Sequence, residues 1–515
     1  MPIYRNPLDT PEIRVRVVQY LSMEDIINCS QTCKAWNNEF AAHIWHTIDL
    51  KSQPKVKELH YKSVAKNGNH IRIIKNIRKR SELVIFQDPR INKLSQLTLR
   101  LKTRNGYHHQ AAELIRRNLD TLETLDLSGD DTKDERTVFA LSETLVPPSS
   151  ACNYQLTSIT LKYMSMTRES FSILLLCCPQ LMDVDIRYCT FSGDGGLELF
   201  QHERMSYLCA SIEQVFKPIV DQTSTPLLVH FPNLKTWETW SFEEPLEDPT
   251  AQTLKNAILE YCPNIQKLYT NDSSSSVMCE LLTKAFQNLT SVRFIYGNIT
   301  TAVVLGLLLH VNTLTTIQSY DPCDVVNWSY NADEALSISD GFNEGWMIHV
   351  LLSRCPHLSV VDLPTHEMDI DMVDRFPWAC KDLKRLRVRI RGLDTKELIV
   401  AAIDKWRFEH RERQRSALAS LTKTEKNSVA FENTVDQERE LPTAEQTIST
   451  TTAIGGADAN TNQQPPPPLP QQQQQQQGEA SNIVNNPIVD KVVRQLLKFE
   501  KLDDVWLGYK VWGPL

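Results

Sequence analysis

The 515-residue sequence has no apolar run near the roughly 18 residues that cross a bilayer; the longest is Ala302–Leu309. Its first residues, MPIYRNPLDTPE, hold no apolar signal core. Membrane-spanning and signal-peptide-secreted classes are therefore not expected. None of the 12 cysteines forms a CxxC pair, so a zinc ribbon and a disulfide-stapled miniature fold are both excluded. A reducing compartment, cytoplasmic or nuclear, follows as the expectation. The chain also lacks a nucleophile elbow, a P-loop, GxGxxG and HExxH, so no catalytic residue, cofactor or metal is assigned. His43 and His46 flank Trp45 without a cysteine or carboxylate to complete a ligand set, and Cys29 and Cys33 read as packing thiols.

What is present begins with an uneven charge. The net charge is -8, yet residues 51–104 carry 15 Lys+Arg against Glu58, Glu82 and Asp88. Arg72, Lys75, Arg78, Lys79 and Arg80 are open to three uses: binding phosphate, signalling nuclear import, or forming a solvated face. The interleaved Ile71, Ile73, Ile74 and Ile77 predict a helix with one apolar side, giving a basic helical linker over 51–92.

Downstream the pattern L-x-x-L-x-L recurs. Clear copies start at Leu94, Leu122, Leu156, Leu181, Leu289, Leu358 and Leu383, and weaker ones at Leu234, Ile265 and Leu314. Steps of 28 (94 to 122), 25 (156 to 181) and 24 (265 to 289) fall in the roughly 20–29-residue window of leucine-rich repeats. The longer steps from 181 to 234 and 314 to 358 imply insertions or degenerate copies. Helical stretches lie between anchors, and three close on Cys178-Pro179-x-Leu181, Cys262-Pro263-x-Ile265 and Cys355-Pro356-x-Leu358. Proline ends the helix and a small thiol fills the turn. No unit of this kind buries its apolar side alone, so a stacked α/β solenoid over 93–415 is expected, with parallel strands inside and helices outside. Outward positions between anchors, Thr98, Arg100, Asp126, Lys162, Asp185, Arg187, Arg293, Asp362, Arg387 and Arg389, are candidate contacts for a partner.

Residues 416–482 are poor in large apolar side chains and include QQPPPPLPQQQQQQQ, so they are expected to be a disordered insertion. Pro467–Pro470 is either an extended proline ligand or plain linker. Order returns over 483–515 with a helix from Pro487 and a last copy at Leu502, Val505 and Leu507. Asp394 to Glu397 reads as a capping box before Leu398, Ile399, Ile403 and Trp406.

Residues 1–50 are helical in period. Thr10 and Pro11 open one helix with Ile13, Val17 and Leu21 on a face. Ser22 and Asp25 box the next, and a third carries Trp36, Phe40, Ile44 and Trp45. Leu8-Asp-Thr-Pro11-Glu12-Ile13, Val17-Val18-Gln-Tyr20-Leu21-Ser22-Met23-Glu-Asp25-Ile26-Ile27 and Thr32-Cys33-Lys34-Ala-Trp36 together resemble an F-box. With the repeats behind it, the chain resembles a fungal F-box protein of the leucine-rich-repeat type. The resemblance implies a non-enzymatic substrate receptor of a Skp-cullin-F-box ubiquitin ligase, whose partners are the Skp adaptor, the cullin scaffold and a protein substrate. It implies that Pro11, Ile13, Val17, Leu21, Ile26, Ile27, Cys33 and Trp36 face the adaptor or pack the helices together. A nucleic-acid-associated or scaffolding repeat protein is the other class.

Overall fold

The computed structural model describes residues 10–51, 61–100, 108–129, 137–138, 154–192, 201–211, 214, 227–239, 248–270, 282, 284–295, 301–320, 344–393, 395–436 and 486–507. Leu8, Asp394, Pro467–Pro470 and the glutamine run lie outside them. Two units are distinguished, Met1–Ile338 and Ser339–Leu515. No described helix is long and apolar enough to cross a membrane.

The first unit opens with helices α1 (Pro11–Val18), α2 (Met23–Ser30) and α3 (Lys34–His46). Ser22 and Asp25 form the expected capping box on α2. Thr10 has the extended backbone of an N-cap, but its side chain makes no capping bond, and Pro11 alone marks the start of α1. Val18, Ile26 and Phe40 form the buried centre of the trio, with Leu21, Cys29, Trp36 and Ile44 packed around them.

The chain then runs into a parallel sheet. β1 (Thr47–Asp49) pairs with β2 (Ile73–Ile77), and β2 with β3 (Gln96–Arg100). The expected basic helix over the isoleucines is thus corrected to a strand, preceded by a short helix at Tyr61–Asn67. β-branched residues suit a half-buried pleat, and Ile74 and Ile77 are sealed between neighbouring strands. Two of them, Ile74 and Ile77, stand three apart because the register slips between them. Asn76 takes positive φ at that slip, and its amide bonds the Asp49 carboxylate at 2.8 Å.

The remaining strands follow in chain order: β4 (Thr124–Ser128), then, past β5 (Thr137–Val138), β6 (Ser158–Lys162). After β7 (Met164–Thr167) come β8 (Asp183–Asp185), β9 (Thr190–Ser192), β10 (Tyr207–Cys209), β11 (Thr236–Thr239), β12 (Lys267–Thr270), β13 (Ser291–Ile295) and β14 (Thr316–Tyr320). β5, β7 and β9 form a second, three-stranded parallel sheet that the leucine pattern does not foretell. In the main sheet one register row runs Leu97, Leu125, Ile159, Val184, Leu208, Trp237, Leu268, Val292, Ile317. All of these are buried. β10 occupies the long step between Leu181 and Leu234, a copy reduced to Met205, Leu208 and Ala210.

A second regularity sits at the turn before each strand. Asn118, Cys178, His202, His310, Cys355 and Cys380 each accept, at the backbone carbonyl, the N–H of the residue three further on. All six are buried. Three of these side chains, and that of Cys262 in the related Cys-Pro phrase, serve the buried backbone nearby. Asn118 accepts from Leu94 N–H at 2.9 Å and donates to the carbonyls of Ile91 and Leu114. His202 and His310 reach the Cys178 and Leu282 carbonyls through Nε2, and the Cys262 thiol reaches those of Leu228 and Phe231. Burial pushes the Cys262, Cys355 and Cys380 thiols up to about 12, so they stay protonated. Asn118→Ala removes three bonds to buried backbone groups and is expected to cost about 3 kcal/mol, read by urea unfolding.

The second unit holds β15 (Val360–Met368), β16 (Arg385–Ile390) and β17 (Asp504–Trp506), all parallel. A helix at Lys396–Asp436 packs on another at Pro487–Leu496. Ile399, Ile403 and Trp406 are buried as the sequence predicts. The helix does not stop at 415, however: it continues through Asp436, into the segment read from composition as disordered. The side chains at 411–420 are exposed, so this stretch is held by its own backbone, by local pairs such as Arg415–Glu412, and by Arg413, which donates to the Leu497 carbonyl at 2.9 Å. Gly392 has φ +88°, and a Cβ there would lie 2.8 Å from Ile488 Cδ1, so the turn out of β16 requires glycine.

Candidate docking surfaces

The N-terminal trio divides its apolar residues between two jobs. Ile26 is 5% exposed and belongs to the core, as do the partly covered Leu21 and Trp36; Val17 is half-buried. Ile13, Ile27 and Cys33 are exposed, and so are Val15, Met23 (49%) and Tyr20 (87%), which the sequence does not single out. Pro11 begins α1, and its side chain lies outside the described set. Ile13, Val15, Met23 and Ile27 are exposed because α1 and α2 carry apolar side chains on more than one face, while the buried centre takes only Val18 and Ile26 from them. Arg14 is buried at 5% and grips Glu39 of α3 with two bonds, its Nε at 2.7 Å from Oε2, so α1 is fastened to α3 by a charge pair. That pairing holds the Glu39 carboxyl below its usual range. His43 is half-buried and His46 exposed, with Nδ1 3.1 Å from Thr47 Oγ1. Among the described residues no group of three His, Cys, Asp or Glu can hold a metal.

A second surface is the polar face of the main sheet, the side opposite the leucine row. Of the residues predicted to project there, the structure brings Asp126, Lys162, Asp185 and Arg187 together. Arg187 lies 2.6 Å from Asp185 and 3.5 Å from Glu238, and Lys162 lies 3.8 Å from Asp185. Tyr207 donates to Glu238 at 2.5 Å. Burial draws the Arg187 guanidinium down, but its bonds to Asp185 and the charge of Glu238 outweigh this and hold it above the ordinary value. Burial, then the neighbouring acids, push Tyr207 and Cys209 up, and burial pushes up Asp126 against the pull of Lys162. Tyr163 and Tyr188, both at positive φ, stack at 4.6 Å beside this group. Glu238 was accessible to sequence reasoning, since the weak copy at Leu234 places it outward next to Trp237. Tyr207 was not, because its strand has almost no leucine.

Thr98 lies on the same register row as Asp126, and Arg100 at the exposed end of β3. Arg293 stands further along, 5.9 Å over the Tyr269 ring. In the second unit Arg387 lies 3.8 Å from Asp362 and 2.9 Å from Asp504, and Arg389 lies 3.3 Å from Glu367. These arginines and acids largely answer one another.

A family model described as F-box-like matches residues 11–51, which span the three helices and β1. A search of curated proteins returns no match. The matched domain supports an F-box protein and points to the Skp adaptor and cullin-based ligases as partners.

Proposed function

We propose that this chain is the substrate receptor of an SCF-type ubiquitin ligase. Helices α1–α3 dock on the Skp adaptor, and the parallel strands are a leucine-rich-repeat solenoid whose polar face holds the protein to be ubiquitinated. Ubiquitin transfer falls to other subunits. The observation that carries the reading is apolar surface left open on a domain that matches the F-box-like family: Ile13, Val15, Tyr20, Met23 and Ile27. Apolar side chains concentrated on so small a module are costly in water and are suited to a partner's cover. The solenoid reading rests on the chain-order parallel strands and on the recurring buried turn. Candidate substrate contacts are Arg100, Asp126, Lys162, Arg187, Arg293, Arg387 and Arg389. The low-complexity sequence of 437–482 falls, in chain order, between the Lys396 helix and the Pro487 helix.

The test is capture of the full chain on immobilised Skp adaptor. Met23→Asp with Ile27→Asp is expected to weaken binding at least tenfold, since both side chains are exposed and neither supports the core. Undiminished capture by the double variant would reject this docking face.

A further inference from the structure

The polar face of β4, β6 and β8 has a composition that selects among substrates. Its register places Asp126 opposite Thr160, and Thr160 opposite Asp185; one row over, Thr124 faces Ser158, and Ser158 faces Asp183. Asp126 and Asp183 thus stand on strands separated by one other and on adjacent outward rows, a diagonal of roughly 12 Å at strand spacing and rise, with the small Ser158 and Thr160 between them. Neither has a cation within ion-pair distance among the described residues; Asp126 has a 3.5 Å contact from Ser128 Oγ. Both are half-buried, and burial raises both carboxyls above the usual range.

From β4 to β11 the face carries Asp126, Asp183, Asp185 and Glu238 against Lys162 and Arg187, a balance of -2. The two cations are already engaged by Asp185 and Glu238. Arg100 bounds this stretch on one side, and Lys267 and Arg293 on the other. At the entry to β4 and β6 a polar hollow of about 280 Å³ is lined by Glu123, Tyr154, Gln155, Thr157 and Gln180, which adds a further carboxylate.

We propose that this face seats a protein segment presenting arginine or lysine, whose cationic side chains enter over Ser158 and Thr160 between Asp126 and Asp183. An arriving cation adds to the distant pull of Lys162 and Arg187 on Asp126 and gives Asp183 a counter-charge in a partly desolvated place, where a charge-assisted bond is stronger than in water. An anionic ligand would meet net negative charge and would have to displace Asp185 from Arg187. The chain's own residues 437–485 do not complement the site: they hold five acids and one base. The occupant assigned here is a segment of another protein. The inference deepens the receptor reading above, on which the identity of the occupant as substrate rests.

The experiment uses the full chain and fluorescein-labelled ten-residue Gly-Ser peptides carrying two arginines, two glutamates or two phosphoserines, followed by anisotropy in 50 mM salt. The arginine peptide is expected to bind best, Asp126→Asn with Asp183→Asn to weaken it at least tenfold, and 300 mM salt to weaken it for the parent chain. Preference for the phosphoserine or glutamate peptide, no arginine-peptide binding, salt-indifferent binding or an unaffected double variant would each overturn the proposal. The double variant should still be captured by the Skp adaptor as well as its parent. A parent chain that binds the arginine peptide but not the adaptor keeps the basic-segment seat and removes the ligase reading.

Discussion

Ile26→Asp is expected to dissolve the N-terminal trio, whereas Ile27→Asp, one residue along the same helix, is expected to leave it folded. Ile26 is buried at 5% beside Val18 and Phe40, while Ile27 is 40% exposed. Burying a carboxylate among those side chains forfeits the isoleucine's transfer energy, about 2 kcal/mol, and adds the cost of desolvating a charge or holding it protonated, several more. A module of about forty residues has little stability to set against such a loss. Hydrogen exchange followed by mass spectrometry reads the result directly: amides of α1–α3 should lose protection in Ile26→Asp and keep it in Ile27→Asp. Equal protection in both would mean that Ile26 is not the centre of this core. The pair also separates folding from docking, since loss of adaptor capture in Ile27→Asp cannot then be ascribed to unfolding.

This contrast shows where sequence and structure part. The helical period places Ile26 and Ile27 together as apolar neighbours, and no local rule decides which points inward; α3, through Phe40 and Trp36, makes that choice. The leucine anchors behave differently. Strand alternation and burial on one side fix them, so the row from Leu97 to Ile317 follows from spacing except at Leu208, whose strand lacks the leucine pattern. The strand at Ile73–Ile77 escaped because three isoleucines in five residues fit a helix face as well as a pleat, and its pairing with Thr47–Asp49 depends on residues some 26 positions upstream. The second sheet escaped because Met164–Thr167 follows β6 almost directly, with Tyr163 turning the chain at positive φ where glycine or asparagine is the usual signal. The recurring turn was legible only as Cys-Pro-x-Leu. Asn118, His202 and His310 share the position, but what joins them to cysteine is the ability to serve a buried backbone group, and that becomes visible only once the turns are placed together. Of the site, the outward positions were readable from alternation. Which of them form a cluster was not, because that depends on how far apart the unlike-length connections set successive strands in the chain.

Buried histidines, two of them at that turn position, make stability sensitive to mild acid. Burial lowers the pKa of His202, His310 and His349, with their bonds to the carbonyls of Cys178, Leu282 and Asp369 offsetting part of the shift, and burial takes His366 down to about 4. A histidine depressed in the folded state stays neutral there while the unfolded chain takes up its proton near pH 6.5. Below that pH the unfolded state binds more protons, so folding weakens as pH falls, until the folded pKa is reached. For His366, fully buried, the interval from 6.5 to about 4 corresponds to about 3 kcal/mol. His349 adds a geometric reason in the same unit: its Nε2 donates to the Asp369 carbonyl at 2.7 Å and its Nδ1 accepts from Trp378 Nε1 at 3.2 Å. A second proton would set N–H against N–H and break the tryptophan bond. Asp126 and Asp183, raised by burial, act in the opposite sense, adding stability as pH falls through their folded values, and so offset part of the histidine effect. Urea unfolding at pH 7.5 and pH 5.0 should therefore show a loss of several kcal/mol at the lower pH. His366→Phe, which keeps the ring buried and removes its proton site, should recover about 2 kcal/mol of that difference. A pH dependence unchanged by the substitution would move the acid sensitivity from His366 to the other buried histidines, because the pairs Arg14–Glu39 and Arg90–Asp88, whose acids are depressed, lose their stabilisation only below this pH interval.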